Sequence, residues 1–516
     1  MPKTTNLLLL LILCMSFPVF AQDLAPCGTP TGKSTWLAAF QQRPKLYFKQ
    51  QDTLLHIPVT IHSVADDDGS GHFGTTNLLD ALCSLNADFA AANIQFYLAG
   101  DIQLINKSDF NEHETVVEGG KYMQQYDIAN TVNTYFMRNG AGNCGYNLPW
   151  ASIAVSKFCA TQNKTTWAHE VGHHFTLPHT FLGWEGGVTY DGSIPLDYEV
   201  SAPEFVLYNY TNFKETLLQD TLIIDTAYVE KIDGSNCEIA ADGFCDTPPD
   251  YLSIRWNCDR TGISSTRQTD PSGEKFRSDG SYIMSYANPG CTSQFSLEQI
   301  TAMRTYILEE RGDLLTQPPT DLPITDNAIL TAPINEEPVA INTIELSWLP
   351  VENATRYIVD VSSRSSFPGG LTSTYETDQT SVFPTGLRLN RTYNWRVRPY
   401  NFSDACTSYS EVATFRVVEE TTAIPSIDGV QEIHIYPSSL QSGTPLTLSL
   451  AITKPIAGQI SLIDLSGKKL YTQPIKYTTG THELQINTKG LPAGLYLVGL
   501  ETQKGRFFKK IIIVQK

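Results

Sequence analysis

The sequence predicts an α/β domain followed by two all-β sandwich domains. Between residues 54 and 316, strand-like and helix-like segments alternate, which is the order of an α/β domain. After the proline-rich residues 317–323, the pattern changes to short alternating strands separated by turn residues, as in β-sandwiches. The end of the chain also differs in charge. Residues 432–516 contain ten Lys and Arg against four Asp and Glu, whereas the whole chain has a net charge of −18.

The N-terminal residues predict an export signal and a pro-segment. Lys3 supplies positive charge, residues 7–14 are apolar, and the small residue Ala21 offers a cleavage site. We therefore expect a signal peptide at residues 1–21 and a pro-segment at residues 22–53. No later stretch reaches the roughly 18 apolar residues of a membrane span, so no transmembrane segment is expected.

Four segments define the framework of the first domain. Residues 54–62 are rich in β-branched side chains and predict a strand. A shorter strand is expected at residues 153–157, before a helix that begins at Thr165 or Thr166, both competent N-caps. An amphipathic helix is predicted between the two strands by apolar residues at helical spacing, namely Leu78, Leu82, Leu85 and Phe89.

One short run of the chain has the composition of a catalytic zinc site. His169 and His173 are four residues apart, so on a helix they project from one face. Glu170 lies beside the first histidine, where it can act on a water without binding the metal. Pro178 makes continuation of the helix difficult, and a turn would bring His179 back to the same point. Three protein ligands leave a fourth position open, which is the pattern of a catalytic zinc ion.

A second motif strengthens this interpretation. Met284 is followed two residues later by Tyr286, and together with the histidine run this pair resembles the metzincin zinc endopeptidases. The resemblance implies that Met284 forms a turn beneath the zinc site and that Tyr286 is catalytic together with Glu170, bonding to the tetrahedral intermediate. Metzincins usually have glycine where Thr176 stands, so we expect either a different turn or a strained backbone there.

More specifically, residues 27–310 resemble the pappalysin (cytophagalysin) family. We therefore expect residues 54–316 to form a metzincin-like zinc protease domain. The shared motifs are Cys27-Gly28-Thr29, Ile57-Pro58-Val59, His179-Thr180-Phe181, Asp246-Thr247-Pro248, and Met284-Ser285-Tyr286 before Cys291 and Phe295.

The cysteines and one acidic loop offer two further candidate sites. Nine cysteines follow the signal peptide, so in an oxidising compartment disulfides can form and at least one thiol is left over. Cys27 is a candidate latency ligand, because a thiolate in a removable segment can occupy the open zinc position. The alternative, that Cys27 is disulfide-bonded or idle, stays open. The resemblance also allows Ca²⁺ at Asp242, Asp246 and Asp250, although a solvated acidic loop is an equal alternative.

Two resemblances describe the rest of the chain. Residues 330–418, between linkers at 317–329 and 419–431, resemble a fibronectin type III domain, on the basis of Trp348, Tyr357, Leu389 and Tyr393. Tyr393 is expected to bond back to the backbone, and the domain is expected to act as a spacer.

The last domain, residues 432–516, resembles the C-terminal sorting domain of Bacteroidota type IX secretion substrates. The resemblance is carried by Tyr436-Pro437, by residues 458–471 and 490–499, and by the basic and apolar residues 509–514. It implies that the type IX machinery is a partner and that the protein is secreted or attached to the cell surface.

These observations predict a secreted zinc-dependent endopeptidase that hydrolyses extracellular proteins or peptides, with Glu170 as general base and acid. Two alternatives stay open: a surface adhesion or binding protein with an inert protease-like domain, and a zinc amidase that acts on non-protein substrates. The negative charge argues against nucleic acid as a partner.

Overall fold

The computed structural model describes residues 24–29, 32–42, 53–161, 164–185, 198–211, 222–419, 427–464 and 467–514. The predicted signal peptide lies outside the described residues, as do parts of the predicted pro-segment and most of the linker at 419–431. Among the helices of these described ranges, none combines the length and the apolar character that crossing a membrane requires.

The first part of the chain contains all the α-helices of the described residues. They are α1 (Thr35–Gln41), α2 (Thr75–Phe89), α3 (Ser108–Asn111), α4 (Val116–Tyr126), α5 (Thr166–His174) and α6 (Leu297–Glu310). The strands of this part are β1 (Leu55–Ala65), β2 (Ile94–Leu98), β3 (Gln103–Asn106), β4 (Glu112–His113), β5 (Val132–Met137), β6 (Asn139–Gly140), β7 (Gly145–Asn147), β8 (Ile153–Ser156), β9 (Phe205–Thr211), β10 (Leu222–Tyr228), β11 (Gln268–Thr269) and β12 (Lys275–Phe276).

A six-stranded mixed sheet organises this α/β part. Its order is β2-β1-β5-β8-β7, and β3 also pairs with β1. All its pairings are parallel except that of β7 with β8, so β7 is an antiparallel edge strand. The predicted strands at 54–62 and 153–157 are confirmed as β1 and β8. The predicted amphipathic helix is confirmed as α2, whose buried residues include Leu78, Leu82, Leu85 and Phe89.

Helices α2 and α5 pack against the sheet and place the candidate site at the β7 edge. Trp167 of α5 is buried against Phe136 of β5, and its indole nitrogen donates a hydrogen bond to Thr134. Burial of such an aromatic side chain removes a large apolar area from water, which stabilises the position of α5. Helix α6 begins with a capping box between Ser296 and Gln299.

Two β-sandwiches follow. The first consists of β13 (Leu330–Ala332), β14 (Glu337–Ala340), β15 (Leu346–Trp348), β16 (Arg356–Ser362), β17 (Thr372–Thr377), β18 (Ser381–Val382), β19 (Thr392–Tyr400) and β20 (Ala413–Val418). Its two sheets have the orders β13-β15-β18 and β14-β20-β19-β16-β17. Trp348 and Trp395 are buried in its core. The Tyr393 hydroxyl makes the predicted bond to the backbone by accepting from the Arg388 amide at 3.0 Å.

The second sandwich has its own core. It consists of β21 (Val430–Tyr436), β22 (Ser439–Gln441), β23 (Leu446–Ile452), β24 (Ile456–Asp464), β25 (Lys469–Tyr477), β26 (Gly480–Ile486), β27 (Gly494–Thr502) and β28 (Gly505–Val514). Its sheets have the orders β21-β23-β26 and β22-β28-β27-β24-β25. Alternate residues of β23 are buried, as expected for a strand with one face on a core.

The first sandwich is firmly attached to the α/β part. A disulfide joins Cys83 of α2 to Cys406 after β19. Beside it, the buried Arg398 donates to Asp80 at 2.6 Å. Ile358 and Tyr400 also belong to the same hydrophobic core as the α/β part. Packing, an ion pair and a covalent bond therefore fix the two together, and the spacer role stays a prediction.

Candidate metal centre

Helix α5 provides three of the predicted functional side chains. His169 and His173 lie one turn apart, and their Nε2 atoms are 3.1 Å from each other. Glu170, the next residue after His169, is fully buried. The helix begins at Thr166, as predicted, but the Thr165 side chain makes no capping bond and contacts the hydroxyl of Thr292 instead.

The turn after α5 delivers the third histidine. Leu177 N donates to Gly172 O at 2.9 Å and Thr176 N donates to His173 O at 3.0 Å, which is the bond pattern of a Schellman motif. Thr176, the donor of the second bond, has φ of 81°. This position favours glycine, so of the two predicted outcomes the structure shows a strained Thr176 in an ordinary turn. The turn brings His179 Nε2 to 3.1 Å from His173 Nε2.

Each imidazole is oriented by a hydrogen bond at its other nitrogen. His169 Nδ1 lies 2.7 Å from Ile283 O, and His173 Nδ1 lies 2.7 Å from Leu177 O. His179 Nδ1 lies 3.0 Å from the carboxylate of Glu185, whose second oxygen accepts from Gly183 N. Such bonds at Nδ1 leave each Nε2 free as a lone-pair donor for a metal ion. Sequence reasoning missed Glu185, although a carboxylate six residues after a ligand is a usable signal.

Met284 lies against Gly172 of α5, and its role as the Met-turn residue stays a prediction. It is fully buried, and a Cβ atom placed on Gly172 of α5 would lie 2.5 Å from its sulfur. Ser285 N donates to Tyr282 O at 3.2 Å, which closes a tight turn around Ile283 and Met284. The glycine thus permits the close contact between this turn and the helix.

The thiol of Cys27 completes the cluster. Its sulfur lies 3.7 Å from His173 Nε2 and 3.5 Å from Glu170 Oε2. The candidate ligand atoms of Cys27, His169, His173 and His179 all lie within 4.8 Å of one another, and no other such grouping occurs among the described residues. Cys27 is also the free cysteine of these residues; the other eight form disulfides, which besides Cys83–Cys406 are Cys144–Cys159, Cys237–Cys245 and Cys258–Cys291.

Backbone pairing holds the segment around Cys27 over the site. Ala25 N donates to Gly142 O, Cys144 N donates to Ala25 O, and Gly28 N donates to Gly145 O, at 2.7 to 2.9 Å. Ala25 pairs with Asn143 in parallel, beside the edge strand β7. The segment therefore lies across the cluster like an added strand.

Glu170 is held close to the cluster but does not belong to it. Its Oε2 accepts a hydrogen bond from Thr29 Oγ1 at 2.7 Å, a partner that the sequence did not reveal as functional. Its Oε1 is buried and has no partner among the described residues. Gly145 makes room for this carboxylate, because a Cβ there would lie 2.8 Å from Oε1. Burial raises the pKa of Glu170 to about 8.

The donor set fits a zinc ion. Burial lowers the pKa of His169 to about 3 and that of His173 well below its usual value, so both rings are neutral. Neutral imidazoles whose Nε2 atoms converge, with a sulfur at the fourth corner, are ligands that zinc prefers. Burial and the charge of Glu170 raise the pKa of the Cys27 thiol in the absence of a cation.

Tyr286 lies at the edge of the cluster. Its ring is in contact with those of His179 and Phe181, at centroid distances of 4.8 and 4.4 Å. Its hydroxyl donates to Cys27 O at 3.3 Å, so it already bonds a carbonyl of the chain that crosses the site. Burial raises the pKa of Tyr286, which keeps the hydroxyl protonated as a donor.

The predicted calcium ligands bond to separate protein groups. Asp242 accepts from Phe244 N and from Thr247, while Asp250 accepts from Thr180 and Ser278. Asp246 accepts from Glu298 N at the start of α6. Three carboxylates with separate partners do not form a cation cage, so nothing in the described residues supports Ca²⁺ here.

Comparison with known proteins supports two parts of this description. Residues 434–514 match the family described as the secretion system C-terminal sorting domain. This domain directs type IX secretion, so the protein is secreted or attached to the cell surface. An extracellular metalloprotease of Verticillium alfalfae is 28% identical over 166 residues, which cover 26% of this chain and 54% of that protein. The chain thus spans about half the length of the curated relative it matches.

A solved structure gives a weaker likeness. A mutant of promirolysin from Tannerella forsythia has 16% sequence identity and a TM-score of 0.36, over 57% of this chain and all of that one. A score at this level carries no argument about the fold. The sequence likeness to the Verticillium alfalfae protein is what supports a relation of this chain to extracellular metalloproteases.

Proposed function

We propose that the protein is a secreted zinc-dependent endopeptidase that is made as a latent precursor. The observation that carries the proposal is the convergence of three imidazole Nε2 atoms beside a buried glutamate. His173 Nε2 lies 3.1 Å from both of the others, and Glu170 follows His169 directly. The metal is assigned to His169, His173 and His179.

The side chains of this chain divide the work of peptide hydrolysis. A zinc ion held there would activate water and polarise the substrate carbonyl. Glu170, with one carboxylate oxygen that has no partner among the described residues, takes the proton from the attacking water and passes it to the leaving amine. Tyr286 donates its hydroxyl to the carbonyl oxygen as negative charge develops on it. Met284 supports the histidines from beneath.

Cys27 and Thr29 account for latency. The thiol lies at the position that a water would need, and the Thr29 hydroxyl engages the Glu170 carboxylate at 2.7 Å. The same short segment therefore blocks the open metal position and occupies the general base. Substrate and pro-segment also compete for the edge of β7.

The pappalysin relation, the fibronectin type III character of residues 330–418 and the choice of zinc are parts of this proposal. They are supported by the motifs of the sequence, by the sandwich topology and by the donor set. A zinc amidase would share the metal centre but act on non-protein substrates. The strand-like binding of residues 25–28 favours an extended peptide.

Protein cleavage tests the proposal. The full chain, before and after limited proteolysis, is incubated with casein and with a fluorescent peptide library. We expect cleavage that a chelator abolishes and zinc restores. Glu170→Gln should lower kcat by about 10² to 10⁴, the range for loss of a general acid–base, whereas the exposed Glu114→Gln should have no effect. Cleavage at the undiminished wild-type rate without metal, or in Glu170→Gln, would contradict the proposal, and the absence of any cleavage would favour an inert binding domain.

Latency has its own test. Cys27→Ala removes the thiol but leaves the backbone pairing in place, so the unprocessed chain should cleave peptide at least about tenfold faster than the unprocessed wild type. The matched control is wild type after limited proteolysis, which gives the maximum rate of peptide cleavage. An unprocessed Cys27→Ala chain as inactive as wild type would show that the thiol does not maintain latency.

A further inference from the structure

Arg255 is a cation beside the metal centre that the mechanism above does not use. Its Nη1 donates to Ala287 O at 3.4 Å, and this is its one hydrogen bond within the described part of the chain. No carboxylate of those residues forms an ion pair with it. A guanidinium offers five donors and keeps its charge in proteins, so this side chain has unused capacity for an anion.

The guanidinium lines a pocket that the pro-segment borders. Pro26 is buried and lines this pocket together with Arg255, His169 and Tyr286. The cavity is about 20 Å³, room for about one water. Thr165 and Thr292 also line the pocket, and no acidic side chain does. With Pro26 removed, the pocket would present hydroxyl groups and a single full positive charge.

The position of Arg255 is fixed by its neighbours. Trp256 N donates to Tyr286 O at 3.4 Å, and Asn288 N donates to Trp256 O at 2.8 Å. Cys258, two residues after Trp256, forms a disulfide with Cys291. The segment that carries Arg255 is therefore joined to the segment of the candidate catalytic Tyr286, and its distance from the metal centre cannot change much. The N-terminus of α5, at Thr165 and Thr166, adds a partial positive charge to the same pocket.

One wall of the pocket is a residue of a continuous peptide. Pro26 lies between Ala25, which pairs with the β7 edge, and Cys27, whose sulfur lies at the candidate metal ligands. A residue of a substrate in this place would be adjacent to the residue at the metal centre. Because the chain continues on both sides, the group that enters is a side chain and not a terminal carboxylate.

We propose that Arg255 determines specificity, and that the pocket lined by Pro26 and Arg255, once Pro26 has left, binds an aspartate or glutamate side chain of the substrate next to the bond that is cut. The proposal rests on the proposed peptidase function for its substrate, but the pocket can be tested without catalysis.

The first experiment uses the pro-segment itself as the ligand. Full-length Pro26→Glu and Pro26→Gln are compared, each with Arg255 and with Arg255→Gln, by the rate at which a thiol reagent alkylates Cys27. A carboxylate bonded to Arg255 should keep the pro-segment bound at the site. Cys27 should therefore be alkylated about tenfold more slowly in Pro26→Glu than in Pro26→Gln. Arg255→Gln should abolish this difference. Equal rates for the two variants, or a difference that survives Arg255→Gln, would overturn the proposal.

The second experiment uses processed enzyme and a peptide library with blocked ends. Asp and Glu should be enriched at one position adjacent to the cleaved bond. Arg255→Gln should lower kcat/KM about tenfold for a glutamate peptide and leave the matched glutamine peptide within about twofold. Cleavage without acidic enrichment would refute the specificity. If no peptide is cleaved at all, the proposed function fails, while the thiol experiment still decides whether the pocket binds a carboxylate.

Discussion

The three histidines and the thiol that faces them are held by very different parts of the molecule. The histidines lie on α5 and on the turn after it, with their rings oriented by Ile283, Leu177 and Glu185. The thiol lies on an extended segment that is only half-buried and is held by backbone pairing and a few polar bonds. The difference separates the proposed metal site, which belongs to the folded core, from a proposed ligand that could leave without disturbing that core.

The same contrast divides the predicted pro-segment. Residues 24–29 cover the metal centre, whereas α1 packs into the hydrophobic core, with Leu37 0% and Phe40 4% exposed. Trp36 stacks on Phe40 and meets Tyr306 of α6 edge-on. Release of the thiol breaks polar contacts, but removal of α1 would expose an apolar surface. The two parts should therefore respond differently to substitution.

The largest expected effect is at the three candidate histidine ligands. His173→Ala should reduce bound zinc from about one equivalent to near zero, because it removes the candidate ligand whose Nε2 lies 3.1 Å from those of both other histidines. His174→Ala is the matched control, since His174 bonds to Asn147 and Arg311 instead. Metal analysis of the purified chains gives the answer. Equal zinc content in the two variants would contradict the ligand assignment.

A smaller effect is expected in α1. Leu37→Ala should lower the free energy of unfolding by about 2–5 kcal/mol, the usual cost of a cavity in a core. The exposed Thr35→Ala should change it by less than about 0.5 kcal/mol. Chemical denaturation of the full chain measures both. If Leu37→Ala costs no more than Thr35→Ala, α1 is not part of the core and the division of the pro-segment is wrong.

The smallest effect concerns the turn that delivers His179. Thr176 has φ of 81°, and its hydroxyl lies 2.6 Å from the Ser34 hydroxyl. Thr176→Gly and Thr176→Ala both lose that bond, but only glycine relieves the backbone. Thr176→Gly should therefore be more stable than Thr176→Ala by about 1 kcal/mol, again by denaturation. A less stable glycine variant would mean that the turn carries no strain.

Local sequence patterns predicted the parts of the site that depend on nearby residues. The helix, its end before Pro178 and the return of His179 follow from spacing and backbone preference, the expected strain at Thr176 follows from the metzincin resemblance, and all four are present. These features depend on contacts within a dozen residues, where helix periodicity and proline chemistry decide the geometry.

Contacts between distant residues were harder to predict. Thr29 and Glu170 are separated by 141 positions, and the pairing of Cys83 with Cys406 by 323. No periodicity encodes such contacts, so the Thr29 hydroxyl and the firm attachment of the sandwich emerged only from the fold. The acidic loop shows the converse case, in which residues that are close in sequence do not form a common site. Asp242 and Asp250 are near in sequence, but backbone turns direct them to different partners.

X-ray absorption at the zinc edge of the full-length chain tests the central claim most directly. The account predicts one zinc ion with three nitrogen scatterers and one sulfur scatterer, and it predicts that Cys27→Ala replaces the sulfur with a light atom while zinc stays bound. Zinc bound without sulfur in the wild type would contradict the role of Cys27. A full-length chain that binds no zinc would contradict the metal centre itself.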